Sequence, residues 1–200
     1  MKFKPELPYG ATPLDQDELA ALLIDSISTQ SELNLAEQES ILNSSQWIFG
    51  KNHKNILTDT FFKELHKKMF GSVWKWAGDY RKSNKNIGVD WTHVSVDVKK
   101  ICDDTKYWIE NKTYLRNELG ARFHHRVVWI HPFANGNGRF SRILTDLLMT
   151  SNKQEGFSWG RKLGKVEDFA QDTQLRKEYI AALREADQKK FDRLIAFMGH

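Results

Sequence analysis

The chain has 200 residues, 30 Lys and Arg against 26 Asp and Glu, and a formal net charge of +4. With 40% hydrophobic residues, 12 Phe and 7 Trp, it has ample bulk for a buried core, which excludes a disordered chain. The single cysteine, Cys102, excludes an intramolecular disulfide and any Cys-x-x-Cys metal or redox site, and fits a reducing cytoplasm.

The length suits one domain over residues 1–200. Residues 1–14 hold Pro5, Pro8, Pro13 and Gly10, which predicts an extended N-terminal arm. Residues 15–48 read as N-terminal helices, the first from Asp15 to Ile27. Thr29-Gln30-Ser31-Glu32 then has the capping-box pattern and opens a second helix running from Gln30 to Ile48. The apolar run Leu19 to Ile27 is short and broken by Asp25, so neither a signal peptide nor a membrane span is expected, and no membrane partner. Apolar residues three and four apart predict further helices over 58–70, 94–110, 117–130, 138–151, 166–186 and 188–198. The clearest stripe is Phe140, Ile143, Leu144, Leu147 and Leu148. Residues 80–96 break the pattern: Asn84, Asn86 and Gly88 interrupt it, and Val89, Trp91, Val94 and Val96 suit extended backbone, which predicts a short β-hairpin. The fold class is therefore all-α with one hairpin.

One stretch carries chemistry: His131-Pro132-Phe133-Ala134-Asn135-Gly136-Asn137-Gly138-Arg139-Phe140-Ser141-Arg142, residues 131–142. It lies between two amphipathic helices, so the Gly-Asn-Gly turn delivers backbone N–H groups and the positive end of a helix dipole to one place, an anion site. Arg139 and Arg142, three apart, project from one side of the first helical turn, and guanidinium groups match phosphate oxygens with paired hydrogen bonds. His131, held beside the turn, is the side chain suited to take a hydroxyl proton near neutral pH. Base, anion cradle and arginines together suggest attack of a hydroxyl on phosphorus. A glycine-capped helix junction with surface arginines is the plainer alternative on spacing alone. No GxxxxGK[ST] is present, which excludes a Walker P-loop.

This stretch resembles the signature of the Fic (Fic/Doc, Fido) family, HPFx[DE]GNGRxxR, at every specified position except Asn135. Leu65-His66, Trp76-Ala77-Gly78 and Arg81 resemble the family's upstream helix and turn. Gly10-Ala11-Thr12-Pro13-Leu14, Glu32-Leu33-Asn34, Asn86-Ile87-Gly88-Val89-Asp90 and Phe123-His124-His125-Arg126 are similar to the mobile mystery protein B subgroup. The resemblance implies a Fic-like helical bundle with a hairpin flap. It also implies transfer of AMP from ATP to a Ser, Thr or Tyr hydroxyl of a target protein, with release of pyrophosphate. On this sequence His131 would be the catalytic base, and Gly136, Asn137, Gly138, Arg139 and Arg142 would bind the phosphates. Flap residues Asn84, Asn86, Ile87 and Gly88 would dock the target. Asn135 stands where the family has an acid that binds Mg²⁺, so metal binding is expected to be weaker. Ser28 and Glu32 fit part of an inhibitory helix motif, [ST]xxxE[GN], although Leu33 breaks it and a capping role suffices for Glu32.

The same residues also suit transfer of another phosphate-linked group, removal of AMP, or a nucleotide-binding regulatory or toxin-antitoxin module with weakened catalysis. An antitoxin, a co-encoded DNA-binding partner from a mobile element and a homodimer are family-level expectations. Direct nucleic-acid binding is not expected, since no basic stripe is evident. The adjacent His124 and His125 cannot both face one metal from one helix face.

Overall fold

The computed structural model describes residues 9–160 and 173–199. Its helices, in chain order, are α1 (Gln16–Leu19), α2 (Gln30–Asn43), α3 (Ser45–Phe49), α4 (Asp59–Phe70), α5 (Val94–Glu110), α6 (Arg116–Ile130), α7 (Asn137–Ser151), α8 (Gln174–Asp187) and α9 (Asp192–Met198). The expected helical bundle is present. Residues 166–172 of the expected 166–186 helix, and 1–8 of the arm, lie outside the described residues.

Each long helix follows from its sequence. In α4 the Thr58 hydroxyl accepts from the Phe61 N–H at the start, and Phe61, Phe62, Leu65, His66, Met69 and Phe70 form the buried face. Each large apolar side chain on that face contributes about 2 kcal/mol by leaving water. Helix α5 buries Val94, Val98, Ile101, Cys102 and Thr105 by the same spacing. Helix α7 buries Phe140, Leu144, Leu147 and Leu148, four of the five residues of the expected stripe, while Ile143 is half-buried. Helix α6 packs against α5 on one side and α7 on the other, α4 packs against α2 and α7, and α9 packs against α6 and α8. Where α4 meets α7, the Phe62 and Phe140 rings contact edge to face at 5.5 Å. Among the described residues no helix is long and apolar enough to cross a membrane.

Three local expectations are corrected. The first helix is one turn, Gln16–Leu19, and not Asp15 to Ile27. Beyond it the backbone bonds to the turn after α4: the Leu23 N–H donates to the Val73 carbonyl at 2.9 Å and the Lys75 N–H to the Ala21 carbonyl at 3.0 Å, with an isolated antiparallel bridge between Leu22 and Trp74. Tertiary partners for the backbone have outcompeted the local helix. The expected Gln30 to Ile48 helix is split at Ser44, which ends α2 and precedes α3; its hydroxyl donates to the Lys68 carbonyl of α4.

The third correction is the hairpin. Residues 80–96 contain no strand: an irregular loop runs to Asp90, a short 3-10 turn follows at Trp91–His93, and Val94 and Val96 belong to α5. Side chains, not a ladder, satisfy the loop's backbone. Arg81 donates to the Ser83 carbonyl at 2.8 Å and to the Val89 carbonyl, and Asn84 Oδ1 accepts from the Trp91 N–H at 2.9 Å. Asn84 Nδ2 also holds Asp90, whose carboxylate caps the 3-10 turn through the Thr92 N–H.

Candidate functional site

Helix α6 ends at His131, which takes a left-handed conformation (φ 53°) before Pro132 prevents continuation. The loop that follows is fixed at three points. Phe133 is fully buried, stacked on the His66 ring at 3.7 Å and edge-on to Phe140 at 4.9 Å. The Asn137 side chain closes a ring with Phe133, accepting from its N–H at 2.9 Å and donating to its carbonyl at 2.8 Å. His66 bonds the Asn135 carbonyl through Nε2 at 3.1 Å, while its Nδ1 accepts from the Gly78 N–H at 3.1 Å. That acceptor role fixes the proton on Nε2, and burial pushes the His66 pKa down to about 3, so the ring is neutral.

Gly136 precedes α7 with φ 77°, and a Cβ there would lie 2.6 Å from the Phe70 ring, so only glycine fits. The first α7 bond is from the Phe140 N–H to the Gly136 carbonyl at 2.9 Å. The N–H groups of Asn137, Gly138 and Arg139 therefore have no carbonyl within the helix and present its positive end. Arg139 pairs with Glu37 of α2 at 2.6 Å and lies over the Phe70 ring. Arg142 is buried and sits over Tyr179 of α8, whose hydroxyl is 2.8 Å from His124 Nε2. Burial, then the Arg142 charge, hold the His124 pKa well below its usual value.

These groups line one cavity of about 540 Å³, a size typical of small-molecule sites. His131, Asn135, Gly136, Asn137, Gly138, Arg139 and Arg142 all reach it, as do Asn86, Ile87 and Gly88. Gly88 (φ 104°) lets the loop approach the base, since a Cβ there would be 2.7 Å from His131 Cβ. Asn84 is not among the lining residues. His131 Nε2 is 3.2 Å from the Thr12 hydroxyl. Burial, then the positive charges of Arg81 and Lys85, push the His131 pKa down to about 3, against a smaller pull from the Val128 carbonyl.

The Asn135 amide oxygen accepts from the Gly136 N–H at 2.6 Å, so it is turned to the backbone and not offered to a cation. Among the described residues no group of three His, Cys, Asp or Glu side chains could hold a metal. Asn135 thus offers an amide dipole already engaged with the backbone where a carboxylate would offer a full charge to Mg²⁺. Glu32 is exposed and caps its own helix, accepting from the Ser28 and Thr29 N–H groups and the Ser28 hydroxyl at 2.8, 3.0 and 3.0 Å. The carboxylate beside the arginines is Glu37, which also accepts from Trp74 Nε1 at 2.7 Å. Cys102 is buried with its thiol pushed up to about 12, which removes it as a nucleophile.

Residues 56–149 match the family model described as the Fic/DOC family. That segment, just under half of the chain, is similar to the Fic/DOC family. Among curated relatives, protein adenylyltransferase Fic of Aedes aegypti is 28% identical over 102 residues, 49% of this chain and 20% of that protein. Protein adenylyltransferase fic-1 of Caenorhabditis elegans is 30% identical over 110 residues, 51% of this chain and 21% of that protein. The match thus spans about a fifth of these relatives' length. Among solved structures, BepC of Bartonella tribocorum with bound AMPPNP superposes with a TM-score of 0.66 at 14% identity, covering 92% of this chain and 96% of that one. A C. elegans Fic-1 fragment (residues 134–508) gives 0.62 at 20% identity, covering 90% and 51%. At these identities the superpositions establish the Fic fold.

Sequence reasoning missed Glu37, Thr12, His66 as the loop's anchor and the α8 wall. The signal for Glu37 was available: the buried stripe of α2 is Leu33, Glu37 and Ser40, and a carboxylate facing inward needs a cation. Nothing local marked Thr12, because the contact joins residues 119 positions apart.

Proposed function

We propose that this chain is a protein nucleotidyltransferase that moves AMP from ATP to a Ser, Thr or Tyr hydroxyl. The observation that carries the reading is a neutral imidazole, His131, with Nε2 turned to a hydroxyl in the cavity where α7 presents its unpaired N–H groups. The triphosphate's oxygens would take the N–H groups of Asn137, Gly138 and Arg139, with Arg142 and Arg139 neutralising their charge. Bound phosphates set negative charge against Arg81 and Lys85, the cations that depress His131, and so raise its proton affinity as chemistry begins. His131 then takes the hydroxyl proton on Nε2, the oxygen bonds to the α-phosphorus, and the bond to the β-phosphate oxygen breaks, releasing pyrophosphate. The contribution of the residues is placement and charge stabilisation, as phosphoryl chemistry requires. No step is assigned to a protein-held cation.

A second reading, nucleotide binding with weak transfer, is favoured by Arg139 being paired with Glu37. The two separate in one experiment with α-labelled ATP, Mg²⁺ and a cell lysate. Label on protein that falls about 100-fold or more in His131→Ala is expected for a general base. The Asn135→Asp variant, with a carboxylate restored, should label at lower Mg²⁺. ATP binding by calorimetry without label in any variant would refute transfer.

A further inference from the structure

Residues 9–14 cross the mouth of the site as a strap held at both ends. At one end the Tyr9 carbonyl accepts from Arg176 Nε of α8 at 2.7 Å, and the Tyr9 hydroxyl contacts the Arg184 guanidinium at 2.9 Å. Gly10 (φ 67°) lies so close to α8 that a Cβ would come within 2.5 Å of Ile180 Cδ1. Asn86 Nδ2 reaches the Ala11 carbonyl from the loop opposite at 3.5 Å. At the other end Asp15 accepts from the Ser83 hydroxyl at 2.6 Å and pairs with Lys85 at 2.9 Å. Between these anchors Thr12 is buried, with its hydroxyl on His131 Nε2 at 3.2 Å.

The chemistry of that contact is specific. His131 is neutral and carries one ring proton, and its buried Nδ1 has no hydrogen-bond partner among the described residues. With that proton on Nδ1, Nε2 is the acceptor and the Thr12 hydroxyl the donor, the arrangement a general base needs toward an attacking alcohol. Thr12 lies between Ala11 and Pro13, which place no long side chain beside its oxygen. Thr12, His131 and the α7 start line the same cavity, so a triphosphate on those N–H groups would share it with the hydroxyl.

We propose that Thr12 is itself an acceptor, a built-in modification site at which the chain receives a nucleotidyl group in cis. This rests on the nucleotidyltransferase reading above. Thr12 Oγ1 bonds to the α-phosphorus of a nucleoside triphosphate, its proton passes to His131 Nε2, and the α-phosphorus releases pyrophosphate. A tethered, oriented hydroxyl reacts far faster than one from solution at ordinary concentration. Modification is self-limiting, because the attached nucleotidyl group then occupies the acceptor position.

The test incubates the full chain with ATP and Mg²⁺, with a lysate in a parallel arm, and reads intact mass, a peptide map and the dependence of rate on protein concentration. The expected result is one nucleotidyl group per chain on Thr12, at a first-order rate independent of protein concentration. It should be retained in Thr12→Ser, lost in Thr12→Val, and reduced about 100-fold or more in His131→Ala. His131-dependent label on lysate proteins or on another residue of the chain, with none on Thr12, would overturn the proposal while leaving the transferase reading standing. No His131-dependent label in either arm would overturn both. A Thr12 label whose rate rises with protein concentration would overturn the cis route.

Discussion

Lowering the pH from 7 to 5.5 should destabilise this protein steeply, because three histidines are buried and uncharged in the folded chain. His66 and His131 are pushed down to about 3, and His124 is held well below its usual value, burial being the first cause for each. The unfolded chain restores each to about 6.5, so below that pH the unfolded state binds protons that the folded state refuses. The folded values are depressed, so stability is fully present above the unfolded value and is lost as pH falls toward the folded one. At pH 5.5 an unfolded histidine is about nine-tenths protonated, so unfolding takes up about 2.7 protons at these three sites. Integrated from pH 7 to 5.5, the loss is about 1 kcal/mol per histidine, or a few kcal/mol together, a large share of a typical stability of roughly 5–15 kcal/mol. Carboxylates titrate mostly below this window. Urea unfolding followed by tryptophan fluorescence at half-unit steps measures the slope directly. Stability that changes by less than about 1 kcal/mol over that range would refute the assignment of three neutral buried rings.

Glu37→Gln keeps an acceptor for Trp74 Nε1 but removes the charge that holds Arg139. With a charge-assisted pair worth about 1.4 kcal/mol released to the phosphates, ATP should bind about tenfold more tightly by calorimetry; unchanged or weaker binding would show that the pair orients Arg139 and does not restrain it. Phe133→Ala opens a hole between His66, Tyr80 and Phe140, and should cost about 3–5 kcal/mol in urea midpoint experiments. A loss under about 1 kcal/mol would mean that the loop holds its shape without that anchor.

Much of the helical framework was legible because its causes are local. The buried faces of α4, α5 and α7 repeat at three and four residues, and Thr29 with Glu32 announces the start of α2. The turn at 131–142 was legible because histidine, glycines and arginines sit within one reach of chain. What failed was decided by distant partners. Residues 20–28 have apolar content suited to a helix but bond to the chain around Val73 and Lys75. The valines near residue 90 suggested strands, yet Asp90 caps a turn and sends Val94 and Val96 into α5. Glu32 satisfied a motif fragment, but its carboxylate is engaged at its own helix start, while Glu37, one turn further, meets Arg139.

Arg81 bears on how the site opens. It is buried, without a carboxylate partner among its hydrogen bonds, and its guanidinium donates to the His131 carbonyl at 2.7 Å as well as to the Ser83 and Val89 carbonyls. Its own N–H donates to the Pro132 carbonyl at 3.0 Å. One side chain thus laces the loop over the cavity to the segment that carries the base, and neither can leave without stranding a buried cation. The two segments are therefore expected to exchange amide hydrogens as one cooperative unit, with a common opening free energy. Access to the base then depends on displacing the N-terminal strap across the mouth of the cavity, a segment to which Arg81 makes no hydrogen bond.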